Sequence, residues 1–269
     1  MIRSAVIMAA GLGTRMRRAD DTATLEASQL AAAESGLKGM IPIKRPFLDY
    51  VISALADADI TDVLLVIGPG HDAVRRYFTE EALPRRVRVR FALQPAPIGT
   101  ANAVTVAADV IGRKPFLVLN SDNYYPVSAF LALASAESAG VVAFDRNALV
   151  HEGNIDAERV RAFAVLDVGD DDMLRGIMEK PDASFDLTGE SARWVGMNLW
   201  AVTPAVVDAC RRVPLSSRGE FELPEAIGLA LREGVPVRAV RLSAAVLDLS
   251  RRSDIAGVVE RLSSVDPRP

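Results

Sequence analysis

The sequence predicts an α/β fold, a mostly parallel mixed sheet flanked by helices in a Rossmann-like arrangement. Three observations lead there. Short apolar runs recur along the chain with helix-like segments between them. The first run passes straight into a glycine-rich turn, "MAAGLGTRM", the kind of strand-to-helix junction that turns backbone N–H groups towards phosphate oxygens. Hydrophobic residues make up 50% of a 269-residue chain, enough for one substantial core.

Taken in order, "IRSAVIMAA" is the first strand, "VLLVIG" the second, "VRVRFALQ" the third and "FLVLNSD" the fourth. Helices are expected near Pro46 to Ala58, Asp72 to Thr79 and Thr100 to Ile111. Beyond the fourth strand the runs "VVAFD", "RAFAVLDV", "LRGIMEK", "WVGMNLWAV" and "VPVRAVRLSA" read as strands that return to the sheet. No repeat, linker or C-terminal β-helix period is visible. The expectation is a single domain over residues 1–269, with a phosphate-binding half (1–125) and a second half (126–269). The segment 17–37, rich in Ala, Leu, Glu and Gln, reads as a helical insertion. Asp21 or Thr22 is its expected N-cap and Gly36 its stop. It is either a lid or a surface decoration.

Composition narrows the function. A net charge of −4 and a pI near 5.4 give no basic field for nucleic acid. The run Arg85 to Arg90 reads as the solvated face of a strand. One cysteine, Cys210, forms no internal disulfide, which points to a reducing cytoplasm. Neither a signal peptide nor an apolar run of about 18 residues is present, so no membrane partner is expected. His71, His151 and Cys210 read as structural or surface residues.

The glycine loop excludes two familiar chemistries. Counting G-x-G-x-x-G from Gly11 gives Gly13 and then Met16 in place of the third glycine, so the dinucleotide fingerprint fails. A P-loop needs Gly-Lys before its hydroxyl residue, and no lysine follows here. Thr14 and Arg15 come next, a hydroxyl and a planar cation suited to a polyphosphate.

The loop gains meaning from company. "GLGTRM", "KGMIPIKRPFLDYVI", "QPAPIGTANAV", "LNSDN", "EKP", "RGEFELPEAI" and "VLDLS" occur in that order. The series, spanning nearly the whole chain, resembles the sugar-1-phosphate nucleotidylyltransferases, or NDP-sugar pyrophosphorylases, whose nucleotidyltransferase fold is GT-A-like. The resemblance implies Mg²⁺-dependent transfer of a nucleotidyl group from a nucleoside triphosphate to a sugar 1-phosphate. No Ser-His-Asp triad or thiol is needed, because the attacking phosphate oxygen is already anionic.

It also implies roles for particular residues. Ala10, Gly11, Gly13, Thr14 and Arg15 would hold the triphosphate, and Lys38 would bridge the α-phosphate and the incoming phosphate. The insertion displaces Lys38 from its usual distance, yet Lys38 heads the "K-x-M-x-P-I" pattern and is preferred to Lys44. Gln94, Gly99 and Thr100 would read the base, with Thr100 capping the helix after it. Asp122, where relatives show Gly-Asp and this chain Ser121-Asp122, and Asp248 would hold Mg²⁺. Glu179, Lys180 and Trp194 would meet the acceptor. "GTANA" disfavours thymidine; UTP is the first choice, with ATP, CTP, dTTP and GTP open. Phe163-Ala164-Val165 and Trp194 depart from the pattern on the acceptor side, which leaves an uncommon sugar or phosphocholine open. A homo-oligomer and a non-catalytic regulatory relative are the remaining alternatives.

Overall fold

The computed structural model describes residues 1–20, 23–136 and 138–269. Its strands are β1 (Ser4–Ala9), β2 (Asp62–Ile67), β3 (Arg88–Leu93), β4 (Phe116–Asn120), β5 (Asn123–Tyr124), β6 (Ala139–Asp145), β7 (Ala164–Val168), β8 (Leu174–Glu179), β9 (Trp194–Val202), β10 (Val237–Leu242) and β11 (Leu247–Asp248). The main path of the sheet runs β10-β6-β9-β4-β1-β2-β3. β1 pairs in parallel with β2 and β4, as β2 does with β3 and β10 with β6. β9 enters antiparallel between β4 and β6, and β7 and β8 extend from it as an antiparallel ribbon.

The central strands read as continuous apolar runs because both of their faces are covered. In β1, Ala5 and Ile7 face one core while Val6 faces the other; in β2, Val63, Leu65 and Ile67 alternate with Leu64 and Val66. β4 follows the same period, with Leu117 and Leu119 opposite Phe116 and Val118. One core is closed by the helix Phe47–Asp57, whose Phe47, Tyr50 and Ile52 are fully buried. The other is closed by the alanine-rich helix Thr100–Ile111 and by Leu223–Arg232. Ala101, Val104 and Ala107 of the former bring its axis close to the strands.

The expected runs are all strands, with ends that shift by up to three residues: "RAFAVLDV" is a strand only from Ala164, and "VVAFD" begins two residues earlier, at Ala139. The expected helix 72–79 is instead a short α-helix, Asp72–Arg76, continued by a π-helical turn, Tyr77–Glu81. Among the described residues of the insertion, α-helix covers Arg17, at the end of Thr14–Arg17, and Ala27–Ser35. The N-cap of Ala27–Ser35 is Glu26, which exchanges capping-box hydrogen bonds with Gln29. The expected caps Asp21 and Thr22 lie outside the described residues. Gly36 does end the helix, in the left-handed region at φ 77. Among the described residues no helix is long and apolar enough to cross a membrane.

The insertion is folded against the glycine loop. Gly13 is left-handed at φ 62, and a Cβ there would lie 2.2 Å from Gly36 O. Arg17 donates to Ser35 O from Nη2 at 2.6 Å and from Nε at 3.2 Å. Gly13→Ala is therefore expected to cost roughly 1–3 kcal/mol, since backbone must move and the conformation disfavours a side chain. Gly11, with nothing within 4 Å of its would-be Cβ, should accept Ala within about 0.5 kcal/mol. Urea unfolding of the two variants beside the parent chain makes the comparison.

Candidate active site

A cleft of about 390 Å³ opens at the C-terminal ends of β1 and β4. These neighbours are parallel, and the chain leaves β1 for β2 on one side while β4 lies on the other, the point at which open α/β sheets bind ligands. Ala10, Gly11, Gly13 and Thr14 line the wall after β1, and Asn120, Ser121 and Asp122 the wall after β4. Gln94, Gly99 and Thr100 form a third side, and Gly36 to Met40 a fourth. The last two residues of the insertion, Gly36 and Leu37, thus line the cleft.

Lys38 begins a short 3₁₀ turn, Lys38–Met40, two residues beyond Gly36. Its Nζ donates to Asp122 Oδ2 at 2.7 Å, and both side chains are mostly shielded from solvent. The extra residues are absorbed by the helix Ala27–Ser35, which doubles back and returns Lys38 to the glycine loop. Lys44, the alternative, donates instead to Ser263 O. Arg15 stands exposed on the short helix Thr14–Arg17, outside the cleft wall.

Gln94 is buried, and its Nε2 donates to Gly99 O at 3.0 Å and to Asn102 Oδ1 at 2.9 Å. Gly99 has φ 120, and a Cβ there would meet Phe221 O at 2.3 Å, so the glycine serves close approach of two backbones. Thr100 differs from expectation. Its Oγ1 accepts from Leu223 N at 2.8 Å at the start of the helix Leu223–Arg232, and Gly99 caps Thr100–Ile111 without a side-chain bond. The loop "GTA" is stapled to "EFEL" by Ala101 N donating to Phe221 O and Phe221 N donating to Ile98 O, both at 2.8 Å.

Asp248 comes close to Asp122 but does not line the cleft. β11 pairs antiparallel with β5 so that Asp248 faces Asn123, and Leu249 N donates to Asp122 O at 2.8 Å. The Asp248 side chain is only 3% exposed and is held by Arg159, Asn123 and Ser250. Burial first, then the charge of Asp122, push its carboxyl upward against the pull of Arg159. The expected metal pair is therefore asymmetric, because one carboxylate is open to the cleft and the other is sealed by its own partners. Among the described residues no group of three or more His, Cys, Asp or Glu could hold a metal ion.

The expected acceptor residues are not brought together. Glu179, at the end of β8, faces a second cavity beside Glu225 and Arg232. Lys180 follows in the left-handed region at φ 48, a strained conformation for a residue preceding proline. Trp194 lies in a third cavity, with the Arg193 guanidinium 4.9 Å and that of Arg241 5.6 Å from its ring. Its ring is occupied by these two cations, so it does not face the cleft. His71 buttresses the end of β1, its Nδ1 3.1 Å from Ala9 O, and burial lowers its pKa. Cys210 is buried, with a thiol pushed up to about 12, and is unreactive.

Sequence reading missed Arg159, Asp254, Asn102 and Glu220. Glu220, in "RGEFELPEAI", lines the cleft and was within reach of that motif. Arg159 carries no local signal, being one arginine among many.

The sequence model described as Nucleotidyl transferase matches residues 4–246. A UTP–glucose-1-phosphate uridylyltransferase of Haloferax volcanii is 26% identical over 259 residues, covering 96% of this chain and 96% of that protein. A glucose-1-phosphate thymidylyltransferase of Streptomyces antibioticus is 27% identical over 268 residues, covering 98% of this chain and 67% of the relative. A UTP-bound UGPase from Acinetobacter baumannii superposes with a TM-score of 0.76 at 20% identity, over 99% of this chain and 96% of that one. At that identity the superposition shows the shared fold.

Glu179 yields a pH test of its placement. Burial raises its carboxyl from 4.5 to about 7, with Arg218 opposing and Glu222 and Glu225 adding to the rise. Above pH 4.5 the unfolded chain ionises this group while the folded chain does not, so stability falls as pH rises towards 7 and then levels off. Glu179→Gln should thus gain on the parent chain by roughly 1–3 kcal/mol between pH 5 and pH 8, measured by urea unfolding at both values.

Proposed function

The chain belongs to the nucleotidyl transferase family, and from that premise we propose that it transfers a uridylyl group from UTP to a sugar 1-phosphate, releasing pyrophosphate. The Lys38–Asp122 pair at the mouth of a glycine-loop cleft carries the proposal. A base-reading pocket at Gln94 and Gly99 supports a nucleotide. UTP is chosen because the relative covered over nearly its whole length is named for UTP and glucose 1-phosphate.

The acceptor's phosphate oxygen attacks the α-phosphorus, the bond to the β-phosphate oxygen breaks, and pyrophosphate leaves. Backbone N–H groups of Gly11 to Thr14 cradle the triphosphate, and exposed Arg15 closes on its outer phosphates. Lys38 neutralises charge at the α-phosphate and holds the two reactants in line. Asp122 fits a hard divalent cation: it is a carboxylate on the cleft wall with one oxygen, Oδ2, engaged by Lys38. When bound there, Mg²⁺ supplies positive charge to the phosphate oxygens. On the acceptor side, Lys180 is proposed to meet the acceptor's phosphate and Glu179 a sugar hydroxyl, both from the end of β8.

Pyrophosphate release is expected with UTP, Mg²⁺ and a sugar 1-phosphate, glucose 1-phosphate being the first to test in a panel that includes phosphocholine. Asp122→Ala and Lys38→Met should each lower kcat/KM by about 10²–10³ or more. Turnover confined to phosphocholine would replace the sugar. Folded protein that neither binds UTP nor releases pyrophosphate would point to a regulatory relative.

A further inference from the structure

Asp248 occupies the place of a second metal carboxylate, yet its surroundings are those of a buried ion network. Its Oδ1 accepts from Asn123 Nδ2 at 2.9 Å and from Ser250 Oγ at 3.2 Å, and its Oδ2 accepts from the Arg159 guanidinium. The same guanidinium donates to Asp254 Oδ1 from Nη1 at 2.5 Å and to Oδ2 from Nη2 at 2.9 Å. Asp254 Oδ2 also accepts from Ser250 N at 2.8 Å and Arg251 N at 2.7 Å. A carboxylate offers about four lone-pair directions; Asp248 has three in use and is buried on all sides. The Asp122 side chain is 17% exposed against 3% for Asp248.

We propose that Arg159 is a built-in counter-cation that takes Asp248 out of metal binding, so that in this chain Asp122 alone, with phosphate oxygens and water, holds the divalent ion. This rests on the reading of Asp122 as the metal ligand. Arginine stays charged at any working pH, so its hold on Asp248 is permanent in a way that a lysine or histidine contact is not. One protein carboxylate suffices, because Mg²⁺ keeps several waters and completes its shell from substrate phosphates. Asp248 becomes a positioning residue instead. Through Asn123 and the β5–β11 pairing it fixes the backbone next to Asp122. The same loop carries Arg252, which donates to Met16 O and Arg17 O at 3.0 Å and so ties itself to the helix after the glycine loop.

Binding of Mn²⁺, followed by water-proton relaxation with and without UTP, tests the assignment without turnover. One ion per chain is expected on the protein–UTP complex, weakened at least tenfold by Asp122→Asn and less than threefold by Asp248→Asn. Equal weakening by both variants overturns the proposal, as does a second ion on the parent chain. If Asp248→Asn does not fold, the neutral pair Arg159→Gln with Asp248→Asn leaves no unpaired buried charge between them; it should bind within threefold of the parent, and loss of binding overturns the proposal. Failure of the parent chain to bind Mn²⁺ removes this proposal and the Asp122 metal together. Failure to release pyrophosphate from any tested pair, with Mn²⁺ binding as expected, removes the proposed reaction and leaves the metal assignment standing.

Discussion

The candidate site rests on a contact between two glycine backbones. A Cβ on Gly13 would strike the Gly36 backbone, a Cβ on Gly36 would strike Leu12 O and the Arg17 side chain, and this approach closes a long excursion of the chain between them. It sets the end of the helix Ala27–Ser35 against the glycine loop, two residues before Lys38. With it, the ammonium of Lys38 reaches the carboxylate at the end of β4. The capping box at Glu26, the bond from Gln29 to Pro42 O and the Arg17 fork on Ser35 O reinforce the same closure from outside. Backbone packing thus sets the position of Lys38 beside Asp122.

Charge is arranged around that contact in two layers. In the outer layer, Lys38 and Asp122 face the cleft and remain accessible to phosphate and a divalent ion. In the inner layer, Arg159, Asp248 and Asp254, shielded from solvent, satisfy one another and the backbone N–H groups of Ser250 and Arg251. Breaking a buried pair by removing one partner is costly, commonly about 3–5 kcal/mol. The inner layer is therefore a rigid base, while the outer layer can exchange partners as substrates arrive. The separation follows from depth, because screening by solvent weakens the outer pair and leaves the inner one intact.

The far side of the molecule is less unified. Glu179 on β8 and Trp194 on β9 lie on strands separated by β7 and open into different cavities. The register explains this: Glu179 and Gly196 both stand opposite Ala164, so Trp194, two residues before Gly196, shares the face of Glu179 but lies across β7 and two positions along the strands. Glu179 sits among Arg218, Glu222 and Glu225 near the start of the helix Leu223–Arg232, where its raised carboxyl is a poised hydrogen-bond donor near neutral pH. Trp194, clasped by two arginines, is a packing element of the outer face.

The amino-acid sequence by itself determined the α/β class, the five later strands, the stop at Gly36 and the ordered motifs around the cleft. These were legible because periodicity, glycine spacing and strand-end carboxylates are local signals that survive in one dimension. The tertiary structure alone decided that Thr100 serves Leu223 rather than its own helix, and that Trp194 faces away. It alone decided that Asp248, matched by motif to a metal ligand, is claimed by Arg159 from a segment 89 residues earlier. Nothing in the neighbourhood of either residue announces the other. Hydrogen bonds and ion pairs between distant segments depend on which side chains the packed sheet brings face to face, and that is fixed only when the whole core closes.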